Sequence, residues 1–319
     1  MYMGIQLFSK NRHYANIVIK DHAIRFVELK QTSPIVVQRV EERQLPKGII
    51  TNGKIVDYET LSTIMEQCVD EWRIKHRKVR FVVPDGVVII KKISVPADIP
   101  DNEIKGYLHL ELGTTIHLPF EDPTFDMILL HDKEGEQAEK DVLIFAAPED
   151  IVNSYKDLFE DAKLKPCAAD ISPLSLYRLY FHTNDAVHDE NVLLVEFDQS
   201  AMNISIFSTH IPVFMRHSQI ETQAIEGQNP VFYIQDSFKE MERVINFFQY
   251  SLHHGQKSVN RIILTGEHPE INIIKDELIT RFNIPVTSID GANISIITAN
   301  NQELPGQYHV PLGLALKEV

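Results

Sequence analysis

At 319 residues the chain is long enough for about two domains, each with its own core. Its formal net charge of -14 excludes nucleic acid as a main partner, since phosphate contacts need clustered Lys and Arg. Apolar residues make up 44% and charged residues 24%, and no apolar run approaches the ~18 residues of a membrane span, so a globular protein is expected. Cys68 and Cys167 have no metal-ligand spacing, which fits a reduced, cytosolic chain. The opening residues read as too polar for a signal peptide, and the mildly amphipathic Met3–Phe8 reads as a frayed terminus.

The stretch Asn16–Leu29 reads as a strand, a polar turn Lys20-Asp21-His22 and a return strand from Ile24. Ile35–Glu41 adds a third strand. Leu61, Ile64, Met65, Cys68, Val69 and Trp72 recur at helical spacing, which predicts an amphipathic helix over Tyr58–Trp72. The basic run Arg73–Arg80 reads as the solvated end of that helix. Val79–Val83 is a short strand closed by the turn Pro84-Asp85-Gly86.

Val87–Val95, interrupted by Lys91-Lys92, is a further strand. Asp101 is a candidate cap for a helix over Asn102–Leu112. Strands around Phe125–His131 and over Val142–Ala147 flank an exposed charged loop, and a helix follows over Glu149–Ala162. This β-α-β-β-α run is an α+β module. A strand over Cys167–Ile171, a helix over Pro173–Phe181 and a polar, hinge-like segment Thr183–Glu190 end the first half.

The second half repeats the opening plan. Leu193–Phe197 is a strand, Asp198-Gln199-Ser200 a polar turn and Met202–Phe207 the return strand, so the fold is expected to be internally duplicated with both turns facing one cleft. Ile211–Met215 is a strand and Ile220–Asn229 a polar loop. Asp236 or Ser237 is expected to cap a long helix that stops at Gly255. Arg261–Thr265 is a buried-type strand, followed by a helix over Pro269–Phe282, a strand near Pro285–Ile289 and the apolar tail Pro311–Leu316.

In this order several pieces resemble the type IV pilus assembly protein PilM family, related to the cell-division protein FtsA. They are IRFVEL at Ile24–Leu29, LPKG at Leu45–Gly48 with GKIVD at Gly53–Asp57, the run Val82–Pro96, Glu111–Phe120, Asp170-Ile171, Ile262–Gly266 and Pro311–Leu316. The resemblance implies an α/β, actin-like (ribonuclease H-like) duplicated fold. It implies a first lobe IA over residues 1–86 and 166–186, an inserted α+β subdomain IC over 87–165, and a second lobe IIA with a shortened IIB over 187–319.

The departures from the family pattern concern the nucleotide pocket. Where the family's first phosphate loop resembles G-x-D-x-G-S/T-S, this chain has Asn16, Val18, Lys20, Asp21 and His22. A D-I-G loop is replaced by Glu196-Phe197-Asp198, followed by Gln199 and Ser200, and of the paired glycines of the adenosine motif only Gly266 remains, beside Glu267. Glycine lets backbone N–H groups approach phosphate oxygens, and unpaired acids at Asp198, Asp21 and Glu267 repel them. The expectation is therefore a vestigial pocket formed by Lys20, Asp21, His22, Asp198, Gln199, Ser200, Gly266 and Glu267, with no required cofactor, weak ATP/Mg binding at most, and no ATPase activity.

By resemblance, a short cytoplasmic peptide of the inner-membrane protein PilN docks between IA and IC, and Arg80, Lys91 and Lys92 are the candidate groove residues. Lys91-Lys92 reads equally well as a guard on a strand edge. The function implied is a cytoplasmic scaffold at the inner membrane for pilus assembly or a related secretion or DNA-uptake system. The alternatives are an ATP-binding actin-like protein of that machinery and a filament-forming one. No metal site is expected, because His109, His117 and His253-His254 lack ligand spacing, and Lys239 reads as a solvated surface residue.

Overall fold

The structure, a computed structural model, describes residues 14–130, 139–184, 190–220, 231–289, 294–296 and 304–318. Two large sheets share one plan. In the first, β1 (Ala15–Ile19) pairs antiparallel with β2 (Ala23–Thr32) and parallel with β6 (Lys78–Val82). β3 (Ile35–Gln44) extends the β2 side and β10 (Lys165–Asp170) the β6 side, giving the order β10-β6-β1-β2-β3, while β4 (Ile50–Thr51) and β5 (Lys54–Ile55) form a separate short hairpin. In the second, β11 (Asn191–Phe197) pairs antiparallel with β12 (Ala201–Ser208) and parallel with β14 (Arg261–Gly266). β13 (Ile211–Gln219) and β15 (Val286–Ser288) complete the order β15-β14-β11-β12-β13.

The duplication extends to the turns. Lys20 N–H donates to Ala23 O at 2.9 Å and Asp198 N–H donates to Ala201 O at 2.8 Å, so both hairpins close in the same way after the same strand position. Lys20 and Asp198 are thus equivalent residues of the two halves.

The helices follow from apolar spacing. α1 (Tyr58–Glu71) buries Leu61, Met65, Cys68 and Val69, and the Asp57 carboxylate caps its first turn by accepting from Thr60 N–H at 3.1 Å. Trp72, just past its end, stacks on Phe26 of β2 at 5.7 Å. α3 (Glu149–Asp161) packs Tyr155, Leu158 and Phe159 into the same core, where the Tyr155 hydroxyl donates to Gly53 O at 2.9 Å. On the other face of the sheets, α4 (Ser172–Thr183) meets α7 (His309–Ala315) in a core that draws side chains from both halves, among them Val18, Val27, Val192, Ile263 and Leu312. Their close crossing depends on Gly313, where an added Cβ would lie 1.9 Å from Ser175 O. The apolar tail is therefore a buried helix that ties the halves together.

The inserted module is a three-stranded sheet in the order β7 (Ile89–Pro96), β9 (Glu139–Pro148), β8 (Pro123–Leu130), covered by α2 (Ile104–Glu111). The last strand in sequence is the central one, so β7 and β8 are the outer strands.

Several expectations need correction. Asp101 does not cap α2; its carboxylate takes Lys140 at 2.9 Å, and the helix begins at Ile104 without a side-chain cap. α5 begins at Val231, several residues before Asp236 and Ser237, and Asp236 pairs instead with Lys239 at 2.8 Å. The helix runs on through a π-turn, Phe247–Leu252, to Gly255 with φ +81. Arg73–Arg80 is solvated at Arg73, Lys75, His76 and Lys78, as expected, but not at Arg77 and Arg80. Arg77 bonds Glu28 at 2.6 Å, and Arg80 lies buried in β6 over the Tyr14 ring, 3.8 Å from its centre. α6 spans Ile271–Arg281, inside the range read for it. The short strand β16 (Ile294–Ile296) joins β3 of the first sheet in parallel, which the sequence pattern did not suggest. The Met3–Phe8 segment and most of the charged loop, the hinge and the 220–229 loop lie outside the described residues.

Candidate functional site

The cleft between the two sheets is lined by the turns that the hairpins present. Lys20 Nζ lies 3.1 Å from Asp85 Oδ2, 3.2 Å from Glu196 Oε1 and 3.5 Å from Asp198 Oδ2. Asn203 Nδ2 donates to Asp85 Oδ2 at 2.9 Å and to Glu196 Oε2 at 2.8 Å, and Ser172 Oγ donates to Asp85 at 2.9 Å. His217 supports Asn203 through Nδ1–H, which donates to Asn203 Oδ1 at 2.7 Å. Gln219 donates to the other ring nitrogen at 3.1 Å, so both partners are those of a neutral imidazole. Burial holds the His217 pKa below its usual value in the same sense.

Burial opposes charge on Lys20, yet Glu196, Asp85 and Asp198 outweigh it and hold the ammonium well above its ordinary pKa. One ammonium does not neutralise three acids. Burial, reinforced by Asp85 and Asp198, accordingly pushes the Glu196 carboxyl up to about 7.

A second network lies beside the first. Arg25 bridges Glu42 at 2.7 Å and Glu267 at 2.6 Å, and His22 Nε2 lies 3.2 Å from Glu267 Oε1 and 3.8 Å from Asp198 Oδ1. Burial would raise the Glu267 carboxyl, but the His22 hydrogen bond and the Arg25 charge prevail and lower it to about 2. Gln199 donates to Glu267 Oε2 at 3.3 Å. Of the acids expected to stand unpaired, Asp198 and Glu267 are thus paired across the cleft with cations of the other half. Asp21 turns away: its two oxygens accept from Asn52 N–H at 2.7 Å and Gly53 N–H at 2.9 Å, fastening the 52–53 loop to the first hairpin.

The cavity left among Lys20, Asp21, His22, Asp85, Asp198, Ser200, Asn203 and His217 has a volume of about 50 Å³. Small-molecule sites typically occupy roughly 300–1,000 Å³. Gly266, at φ +122, serves packing: a Cβ there would lie 2.0 Å from Phe197 O. The N–H groups of Glu267 and His268 both donate to that same oxygen, at 2.9 and 3.1 Å. The glycine that the adenosine motif retains is therefore committed to strand β11.

The three candidate groove residues are not brought together. Arg80 is buried and donates to Ala315 O, Lys91 reaches His117 O at 3.1 Å, and Lys92 pairs with Asp141 at 2.5 Å on the outer strand β7. A groove of about 490 Å³ lies instead at the opposite edge of the inserted sheet. It is lined by the consecutive residues Thr124–Ile128 of β8, by Ala169 and Asp170 at the end of β10 with the following Ile171, by Val83, Val152 and Leu174, and by Lys105 and Lys317. Both β8 and β10 are outer strands of their sheets. Sequence reasoning missed this edge because strand order within the module leaves no trace in periodicity; the exposed Ile128 is the one local sign.

The type IV pilus assembly protein PilM family model matches residues 16–228, two thirds of the chain. The chain belongs to that family. Its structure superposes on a PilM from a PilM-PilN type IV pilus biogenesis complex with a TM-score of 0.78 at 19% identity, over 95% of this chain and 98% of that one. The ethanolamine utilization protein EutJ of Carboxydothermus hydrogenoformans matches with a TM-score of 0.51 at 9% identity, over 95% and 88% of the two chains. No curated protein matches the sequence. The fold of this PilM-family chain is the actin-like α/β fold, and no helix among the described residues is long and apolar enough to cross a membrane.

Proposed function

We propose that the chain is an actin-like scaffold of pilus assembly, or of a related secretion or DNA-uptake machine. In this role it captures an extended cytoplasmic peptide of a PilN-like inner-membrane protein and is thereby held at the inner face of the membrane. The observation that carries this reading is the apolar groove between the outer strands β8 and β10. Among the described residues both strand edges are unpaired, so they offer backbone N–H and C=O groups to an extended chain, and the apolar lining offers contact for its side chains. The lining lysines are already engaged, Lys105 with Asp126 at 3.2 Å and Lys317 with Asp170 at 3.6 Å, so binding draws on backbone pairing and apolar contact more than on charge.

Nucleotide hydrolysis is not part of this role. This reading is supported by Lys20, whose ammonium already spans three carboxylates beside a cavity of about 50 Å³. An ATP-binding role is the second reading, favoured by the fold and opposed by that ion network. A pull-down with the cytoplasmic segment of the cognate PilN tests the proposal. Recovery by the wild-type chain and loss in Met127→Glu is expected; no recovery, or equal recovery by the variant, overturns it.

A further inference from the structure

The two hairpins and the β14 end bring one imidazole and two carboxylates to a single point of the cleft. One ligand atom each from His22, Asp198 and Glu267 lies within 4.8 Å of the other two. His22 Nε2 is 3.2 Å from Glu267 Oε1 and 3.8 Å from Asp198 Oδ1. Atoms bound around a single divalent ion at about 2.0–2.2 Å stand roughly 3.0–3.5 Å apart, so the trio needs little adjustment to become a coordination sphere.

His22 Nε2 also faces Arg25 Nη2 at 3.2 Å. One ring nitrogen either donates or accepts. As an acceptor from Arg25 it turns its lone pair on two carboxylate oxygens; as a donor to Glu267 it turns its hydrogen on the guanidinium. A cation on Nε2 relieves the first conflict, placing positive charge between the lone pair and the two carboxylate oxygens, with Arg25 kept on Glu267 Oε2, the oxygen the trio does not use.

A separate observation points the same way. Asp85 lines the same cavity, is only 8% exposed, and its Oδ1 has no hydrogen-bond partner among the described residues, while its Oδ2 takes Lys20, Ser172 and Asn203. Asp85, Glu196, Asp198 and Glu267 thus face Lys20 and Arg25 around one cleft, a surplus of acid that a divalent cation offsets.

We propose that His22, Asp198 and Glu267 form a binding site for a divalent transition-metal cation bridging the two halves of the chain. An imidazole with two carboxylates suits zinc or cobalt better than magnesium or calcium, which favour all-oxygen shells. The supporting contacts are in place, since Gln199 donates from its backbone to Asp198 Oδ1 at 2.6 Å and from its side chain to Glu267. This site is independent of peptide capture at the β8–β10 groove.

The test is titration of the EDTA-treated full chain with Co²⁺, followed by visible ligand-field absorption, and with Zn²⁺, followed by calorimetry. One saturable site is expected, unchanged by excess Mg²⁺, weakened at least tenfold in His22→Gln and unchanged in His253→Gln. Circular dichroism confirms that His22→Gln, a partly exposed position, remains folded, and Glu267→Gln repeats the comparison from the other half. No saturable binding by the wild-type chain, or equal affinity in folded His22→Gln, overturns the site.

Discussion

Lys20 and Asp198 occupy the same turn position in the two halves of the duplicated fold, and they meet across the cleft with Lys20 Nζ 3.5 Å from Asp198 Oδ2. The two hairpin ends thus face each other across the cleft. Lys20→Met removes the one ammonium that contacts Asp85, Glu196 and Asp198 together among the described ion pairs. Stranding buried acids in this way costs about 3–5 kcal/mol. Urea unfolding should show a lower midpoint with an unchanged slope, and adding Glu196→Gln to Lys20→Met should recover part of the loss. A midpoint equal to wild type for Lys20→Met would show that the network adds no stability.

The α4–α7 crossing makes a second expectation. Gly313→Ala places a methyl 1.9 Å from Ser175 O, so the helices must separate, at a cost of about 1–3 kcal/mol or more. Gly106→Ala is the matched control, because the glycine lies within α2 and an added Cβ meets nothing within 4 Å. There alanine should stabilise by about 0.5–1 kcal/mol. Thermal melts of the two variants should move in opposite directions.

His309 supplies a pH dependence. It is buried at the start of α7, where its Nδ1 shares a hydrogen bond with the Thr265 hydroxyl at 2.7 Å, and burial lowers its pKa to about 4. The unfolded chain, with an ordinary imidazole near 6.5, binds this proton before the folded chain does. The resulting contribution is complete above pH ~6.5 and is lost as pH falls toward 4, amounting to about 2–3 kcal/mol. Unfolding free energies measured at pH 7 and pH 5 should differ more for the wild type than for His309→Gln.

Asp21 predicts a local effect. Its carboxylate satisfies Asn52 N–H and Gly53 N–H, and Gly53 in turn contacts Pro84 so closely that an added Cβ would lie 2.3 Å from the proline ring. Asp21→Ala should cost about 1–3 kcal/mol and raise amide exchange at residues 52–53, leaving exchange in β11 and β12 unchanged.

What the sequence disclosed was the local part of this architecture. The echo of Asn16–Leu29 in Val192–Phe207 appears as two hairpins of equal register, because strand alternation and polar turns are short-range features. The spacing along Tyr58–Trp72 likewise produced α1. The cleft was only half legible. Lys20, His22, Asp198 and Glu267 do converge, but their pairing joins residues as much as 245 positions apart and has no local signature. Asp21, adjacent to two cleft residues, turns to a loop instead. Arg80 read as a surface charge because its neighbours are basic, yet β6 is a central strand and buries it. Lys91 and Lys92 lie on the edge opposite the β8–β10 groove because β9, the last strand of the module, inserts between β7 and β8.

The most direct measurement is calorimetry of the chain with the cytoplasmic PilN-like peptide, carried out with and without ATP and magnesium. Saturable binding that is indifferent to nucleotide, is abolished in Met127→Glu and is retained in Lys91→Ala/Lys92→Ala is the expected result. Binding that requires ATP, or that is lost with Lys91 and Lys92 while Met127→Glu binds normally, would contradict a nucleotide-free scaffold that captures its partner between β8 and β10.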